Sequence, residues 1–171
     1  MSRDHDVFKS YTTAPLFEIP LHRRIPTKFF KVYDGDTCRF MIEVEGKVQA
    51  FKARILHINT AEMKTKCPFE KRLAHIAKDR AKQLLHEKCG YVTCKGTDLY
   101  GRKLVEITIN GQNYHDILLS ENVALPYEGT RKFADIQLSD TDIYCASCQK
   151  DEKAKKNCLM WRRLQQAFDS I

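Results

Sequence analysis

The chain has 171 residues and 29 lysines and arginines against 22 aspartates and glutamates, a formal net charge of +7. That suits one domain with or without an extension, and excludes a disordered acidic chain, a collagen-like repeat and a low-complexity tail. No apolar run nears the ~18–20 residues needed to cross a bilayer, and the opening residues MSRDHDVFKS lack the apolar core of a secretion signal, so a soluble intracellular protein, cytoplasmic or nuclear and without membrane contact, is expected.

Residues 1–26 read as an extension with scattered aromatics and no period, leaving 27–171 as the domain. Lys28–Tyr33 reads as a strand running into the turn Asp34-Gly35-Asp36. Cys38, Phe40, Ile42 and Val44 then alternate with polar or long side chains, the period of a half-buried strand. Glu45-Gly46 turns the chain into a third strand over 47–58. Leu73, Ile76, Ala77, Leu84 and Leu85 share one face of a helix over 69–88, with Gly90 as its stop. Two more strands fall at Tyr91–Lys95 and Lys103–Ile109, with Asn110-Gly111 as a turn. A short helix runs from Tyr114 to about Asn122, a loop holds Pro126-Tyr127-Glu128-Gly129, and a charged helix is expected over 139–166. Five strands with one long helix between the third and fourth predict an α+β fold, mainly β: a five-stranded OB-like barrel with about three packed helices.

Four short stretches carry chemistry: Asp34-Gly35-Asp36-Thr37, Arg54, Asn59-Thr60-Ala61-Glu62 and Tyr100-Gly101-Arg102. All lie at strand ends or in loops, where a rigid scaffold can aim them at one point. Carboxylates and an amide oxygen suit a hard divalent cation. Two guanidinium forks suit a phosphate, and a carboxylate beside a bound water can act as general base. Cation, paired arginines and base together can cleave a phosphodiester. The basic charge points the same way, to nucleic acid as partner.

The order and spacing of these motifs resemble the staphylococcal nuclease family. The similarity runs from about Lys28 to Trp161 through Val32-Tyr33-Asp34-Gly35-Asp36-Thr37, Arg54 to Glu62, Asp98-Leu99-Tyr100-Gly101-Arg102-Lys103-Leu104, and Glu152 to Lys156 ahead of Trp161. The resemblance implies a calcium-dependent endonuclease that cleaves DNA and RNA, single strands favoured, to 3′-phosphate products, with Mg²⁺ or another divalent ion as alternative. It implies Asp36, Asn59 and the Thr60 carbonyl as metal ligands, with Asp34 beside the metal. It implies Glu62 as general base or water orienter, Arg54 and Arg102 as transition-state stabilisers, and Tyr100 and Tyr127 lining the nucleotide site. Tyr127 is followed by the basic stretch Thr130-Arg131-Lys132.

One departure matters: Asn59 stands where the family has its second metal-binding aspartate. A unit charge pair at ~4 Å and an effective dielectric near 20 is worth roughly 4 kcal/mol, and the amide dipole returns part of it. Metal affinity is expected to fall by ~10- to 1000-fold. The alternative function is therefore an impaired nuclease-derived barrel that binds nucleic acid or a protein partner. Separately, Cys145-x-x-Cys148, with Cys158 and either Cys67 or Cys89 and Cys94, could complete a tetrahedral thiolate zinc site. A single such pair in an expected helix argues instead for reduced thiols packed as small hydrophobes.

Overall fold

The computed structural model of the chain describes residues 18–129, 137–139 and 142–170. Among those residues the elements follow as β1 (Arg24–Val32), β2 (Thr37–Val44), β3 (Lys47–Ile55), β4 (His57–Asn59), α1 (Pro68–Leu85), β5 (Cys89–Thr97), β6 (Lys103–Ile109), β7 (Gln112–Asn113), α2 (Tyr114–Ser120), β8 (Leu125–Tyr127) and α3 (Glu152–Asp169). A short 3-10 turn, Ala146–Cys148, precedes α3.

Period-2 patterning makes the barrel. Phe40 and Ile42 of β2 are buried while Arg39 and Met41 are only half-buried, and Phe40 lies opposite Phe51 of β3. The two-residue turn Glu45-Gly46 has φ of +52° and +75°, the left-handed pair whose twist matches a tight hairpin. Strands run in the order β3-β2-β1-β5-β6, and β3 pairs again with β6 to close the barrel. That closing seam is parallel and sets Ala53 against Lys103, Arg54 against Leu104 and Ile55 against Val105. β7 extends β6, and β4 pairs with β8 in a separate two-stranded sheet. The expected five-stranded OB-like barrel with three helices is the fold observed.

Phe29, Phe40, Ile55, Val92 and Ile107 fill the barrel, and Ala77, Ala81 and Leu85 of α1 with Tyr114 and Leu118 of α2 pack against them. Each fully buried Phe, Ile or Leu contributes ~1.5–3 kcal/mol. α3 packs Trp161 on Leu73 and Ala74 of α1. A third small cluster holds Cys67, Cys148 and Cys158 against Phe69 and Tyr144. Among the described residues no helix is long and apolar enough to cross a membrane.

Four boundaries differ from expectation. β1 takes in Arg24–Pro26 from the segment read as an extension, and Ile19 packs in the core; residues 1–17 lie outside the described residues. The third strand splits into β3 and β4 because His57 adopts φ +68°. α1 ends at Leu85, and its left-handed residue is Glu87 at φ +57°, not Gly90. Gly90 belongs to β5, where a Cβ would meet the Thr108 carbonyl oxygen at 2.8 Å. The last helix starts at Glu152 instead of 139, because the Asp151 side chain accepts the Ala154 amide at 2.8 Å and caps it there.

Candidate functional site

The loop Tyr33-Asp34-Gly35-Asp36 joins β1 to β2. The Tyr33 and Asp34 amides both donate to the Thr37 carbonyl, at 3.0 and 3.4 Å, and Asp34 Oδ1 accepts the Asp36 amide at 3.2 Å. These local bonds are those that Asp favours in turns. Asp36 is buried; its Oδ2 accepts the Thr60 amide at 2.9 Å and its Oδ1 the Thr37 hydroxyl at 3.2 Å. Gly35 sits beneath, where its carbonyl accepts the Tyr114 hydroxyl at 2.7 Å. A Cβ on Gly35 would lie 2.5 Å from Thr60 Cγ2, so close approach requires glycine here. The loop is thereby pressed onto Asn59 and Thr60, both buried at the end of β4. Burial, helped by the negative charge of Asp36, pushes the Asp34 carboxyl up to about 6.

Arg54 on β3 stands opposite Thr37 of β2 and Leu104 of β6. Its Nη1 lies 3.2 Å from Asp36 Oδ2 and donates to the Ile55 carbonyl at 2.8 Å. Its guanidinium carbon is 5.5 Å from the centre of the Tyr127 ring, which the β4–β8 pairing brings opposite His57. Arg102 sits two residues before Leu104, so the parallel seam delivers both arginines to one end of the barrel. Arg102 Nε donates to Asp98 Oδ2 at 2.7 Å, and its amide donates to Asp98 Oδ1 at 2.9 Å. Burial alone would raise the Asp98 carboxyl, but the Arg102 and Tyr100 bonds outweigh it and hold it below the usual carboxylate range. The Arg102 guanidinium lies 5.6 Å from the Tyr100 ring centre. A cleft of about 730 Å³ opens among Arg54, His57, Tyr100, Arg102 and Tyr127, with Leu99 and Tyr100 exposed at its rim.

Glu62 lies two residues past Thr60 and is exposed. It is not one of the residues lining the cleft. Its amide donates to Oε1 of the buried Glu70 at 3.4 Å, and Glu70 Oε2 accepts from the Thr65 hydroxyl and, at 3.2 Å, from the Asn157 amide. The structure thus joins Asp36, Arg54 and Thr60 in direct contact and sets Arg54, Arg102, Tyr100 and Tyr127 around one cleft. Among the described residues Asp34, Asp36 and Glu62 do not gather their carboxylates at one point. A cation held by Asp36, Asn59 and the Thr60 carbonyl, with Asp34 beside it, would meet oxygen donors only, the kind that calcium and magnesium take.

Sequence reasoning missed several supports. Asp98 was legible as a carboxylate four residues before Arg102 across a glycine turn. The Tyr114 bond to Gly35 and the Glu70 bond from Asn157 carry no local signal, because they span 79 and 87 residues. His57 faces the cleft, but its Nε2 is 3.1 Å from Glu106 Oε1 and its ring is 5.0 Å from that of His115. The Thr130-Arg131-Lys132 stretch lies outside the described residues.

A family model described as staphylococcal nuclease homologue matches residues 52–162, well over half of the chain. The match spans Arg54, Asn59, Thr60, Glu62, Tyr100, Arg102 and Tyr127, and the barrel carries the fold back through β1 and β2 to Asp34 and Asp36. No curated protein matches the chain. The chain belongs to the staphylococcal nuclease homologue family.

Proposed function

We propose that the protein is a metal-dependent phosphodiesterase, an endonuclease that cleaves DNA and RNA, preferring single strands, to 3′-phosphate products. The observation that carries this reading is the pair Arg54 and Arg102 at one cleft, each tied to a carboxylate and facing a tyrosine ring. A phosphodiester carries one negative charge and gains another as its phosphorus becomes five-coordinate. Guanidinium forks already anchored by Asp36 and Asp98 need little reorganisation to meet that second charge. Glu62 takes a proton from, or orients, the attacking water; the water oxygen bonds phosphorus, the bond from phosphorus to the 5′ oxygen breaks, and the departing oxygen takes a proton from solvent to leave as a hydroxyl. Exposed Tyr100 and half-buried Tyr127 offer ring faces on which unpaired bases stack, and paired bases have no free face to give. Asp36, Asn59 and the Thr60 carbonyl would hold calcium, or magnesium or another divalent ion, with Asp34 beside it. When bound, the ion adds positive charge next to the phosphate.

The test is cleavage of end-labelled single-stranded DNA with millimolar calcium against a chelator. Cleavage that the chelator abolishes is expected. Glu62→Ala, Arg54→Ala and Arg102→Ala should each slow it by at least ~10²-fold; wild-type rates in all three would overturn the assignment.

Asn59 favours a second reading, a barrel that binds nucleic acid or a protein partner without cutting. Asn59→Asp separates the two. In an active enzyme the calcium titration of the variant shifts to lower concentration. In a binding barrel the wild type binds without cleaving, at any calcium concentration.

A further inference from the structure

The seven cysteines divide by position. Cys38 and Cys94 are buried in the barrel and Cys89 is exposed on β5. The other four, Cys67, Cys145, Cys148 and Cys158, bring their sulfurs within 4.8 Å of one another. They come from three separate places: the N-cap of α1, the two ends of the 3-10 turn, and the second turn of α3. Thiols that serve only as small hydrophobes have no reason to converge sulfur to sulfur, and Cys38, Cys89 and Cys94 join no such group.

The size of the cluster identifies what fits. Four thiolates about 2.3 Å from a tetrahedral zinc ion lie roughly 3.8 Å from each other. The Cys145 and Cys158 sulfurs are 3.7 Å apart and the widest spacing is within 4.8 Å. That is room for one ion and too little for a multi-iron cluster. Burial pushes the Cys67 and Cys148 thiols up in the free chain, so their ionisation would fall to the bound ion itself. Cys67 stands at the N-terminus of an 18-residue helix, whose dipole favours a negative sulfur. The Ser147 hydroxyl donates to the Lys66 carbonyl at 2.9 Å and lies 3.2 Å from the Cys145 sulfur, bracing the turn against the Cys67 segment. Lys66, Lys150, Lys153, Lys155 and Lys156 lie in the segments that supply the four sulfurs, with Asp151 and Glu152 beside them and Lys156 paired to Glu152.

We propose that Cys67, Cys145, Cys148 and Cys158 hold one zinc ion in a tetrahedral four-thiolate site, structural and separate from the cleft. Each thiol gives up its proton as its sulfur bonds the ion, so binding releases four protons with no change of oxidation state. The ion ties α3 and the 3-10 turn to the end of the segment that carries Glu62.

The test is the metal content of the full chain, purified under reducing conditions without a metal-affinity resin. One zinc per chain is expected, retained through dialysis against a chelator that strips calcium and released by a mercurial thiol reagent. Cobalt substitution should give the intense visible bands of tetrahedral thiolate cobalt. Cys148→Ser and Cys158→Ser should lose the zinc, whereas Cys89→Ser and Asp36→Asn should keep it; the last separates this site from the cleft. Zinc below stoichiometry with four freely titrating thiols, disulfides among the four, iron in place of zinc, or full zinc in Cys158→Ser would each overturn the proposal. If the serine variants fail to fold, metal content and cobalt spectrum of the wild type decide it.

Discussion

Gly35 is held so close to Thr60 that a methyl group cannot be added without moving the Asp36 loop or β4, since the new Cβ would sit 2.5 Å from Thr60 Cγ2 and 3.0 Å from Ala77 Cβ. Gly35→Ala should cost ~1–3 kcal/mol of stability, the usual range for overpacking, and should weaken calcium binding more than a surface change of equal stability cost. Calorimetric calcium titration of the two variants checks this; an unchanged titration would mean that the loop does not build the site. Tyr114→Phe removes the bond to the Gly35 carbonyl and leaves a buried acceptor unpaired, for about 1–3 kcal/mol. Asp98 acts through Arg102. Its carboxyl is held below the ordinary value in the folded chain, so it stabilises the fold above the unfolded value of ~3.9, and that contribution disappears as pH falls through the lower folded value. Asp98→Asn should therefore be less stable than wild type at neutral pH, with the gap closing in strong acid. It should also raise the KM for oligonucleotide by freeing the Arg102 guanidinium; an unchanged gap across pH would show that the bonds in the 98–102 turn do not matter. At this scale the groups proposed for the chemistry were legible, because they sit in short contiguous motifs. What holds them was not, because the Tyr114 bond to Gly35 and the Asn157 bond to Glu70 are made only through the fold.

α3 is held to α1 by contacts distant in sequence. Its Trp161, the sole tryptophan of the chain, is fully buried against α1, and Nε1 donates to Asn157 Oδ1 at 3.2 Å. Asn157 in turn donates to Glu70, which accepts the Glu62 amide. A contiguous set of bonds thus runs from α3 to the residue proposed as general base. Trp161→Ala should cost ~3–5 kcal/mol by leaving a cavity. Asn157→Ala should cost less and yet lower kcat, because it loosens Glu70 without emptying the core; the comparison of urea midpoint with kcat checks this, and an undiminished kcat would confine Asn157 to packing. Element types were readable where a period was long: β2, β3 and α1 show theirs over eight residues or more. Their ends were not. β3 stops just before His57 turns left-handed, and α1 stops at Leu85, with Glu87 left-handed just beyond it although a glycine stands three residues further on. A left-handed conformation at a residue such as Glu87 is imposed by the surroundings, and the enrichment of His, Asn and Asp there is too weak to single out His57. The cysteine group was half legible, since Cys145-x-x-Cys148 is visible as a pair but the choice of Cys67 and Cys158 over Cys89 and Cys94 is made only by the packing of α3 on α1.

For the whole molecule, the net charge of +7 is a sum and does not say where a nucleic acid would meet it. Among the described residues Arg72 pairs with Asp169, Arg80 with Glu121, Lys82 with Asp79, and Lys156 with Glu152, so these four bases are already cancelled within that net figure. The barrel seam instead places two arginines at one cleft, each with its own carboxylate. Binding of a single strand through that cleft should displace few counterions. At ~0.7 per phosphate contact on a single strand, two arginines give a slope of log affinity against log salt of roughly −1.4, whereas docking that used the whole net charge would give about −5. Fluorescence anisotropy of a labelled single strand in calcium-free buffer, over a range of potassium chloride, measures it without cleavage. The expected result is a shallow slope that falls by about 0.7 on Arg54→Ala and again on Arg102→Ala, and does not change on Lys82→Ala. A steep slope, or one that ignores both arginines, would move the nucleic-acid contact away from the cleft and onto the helices.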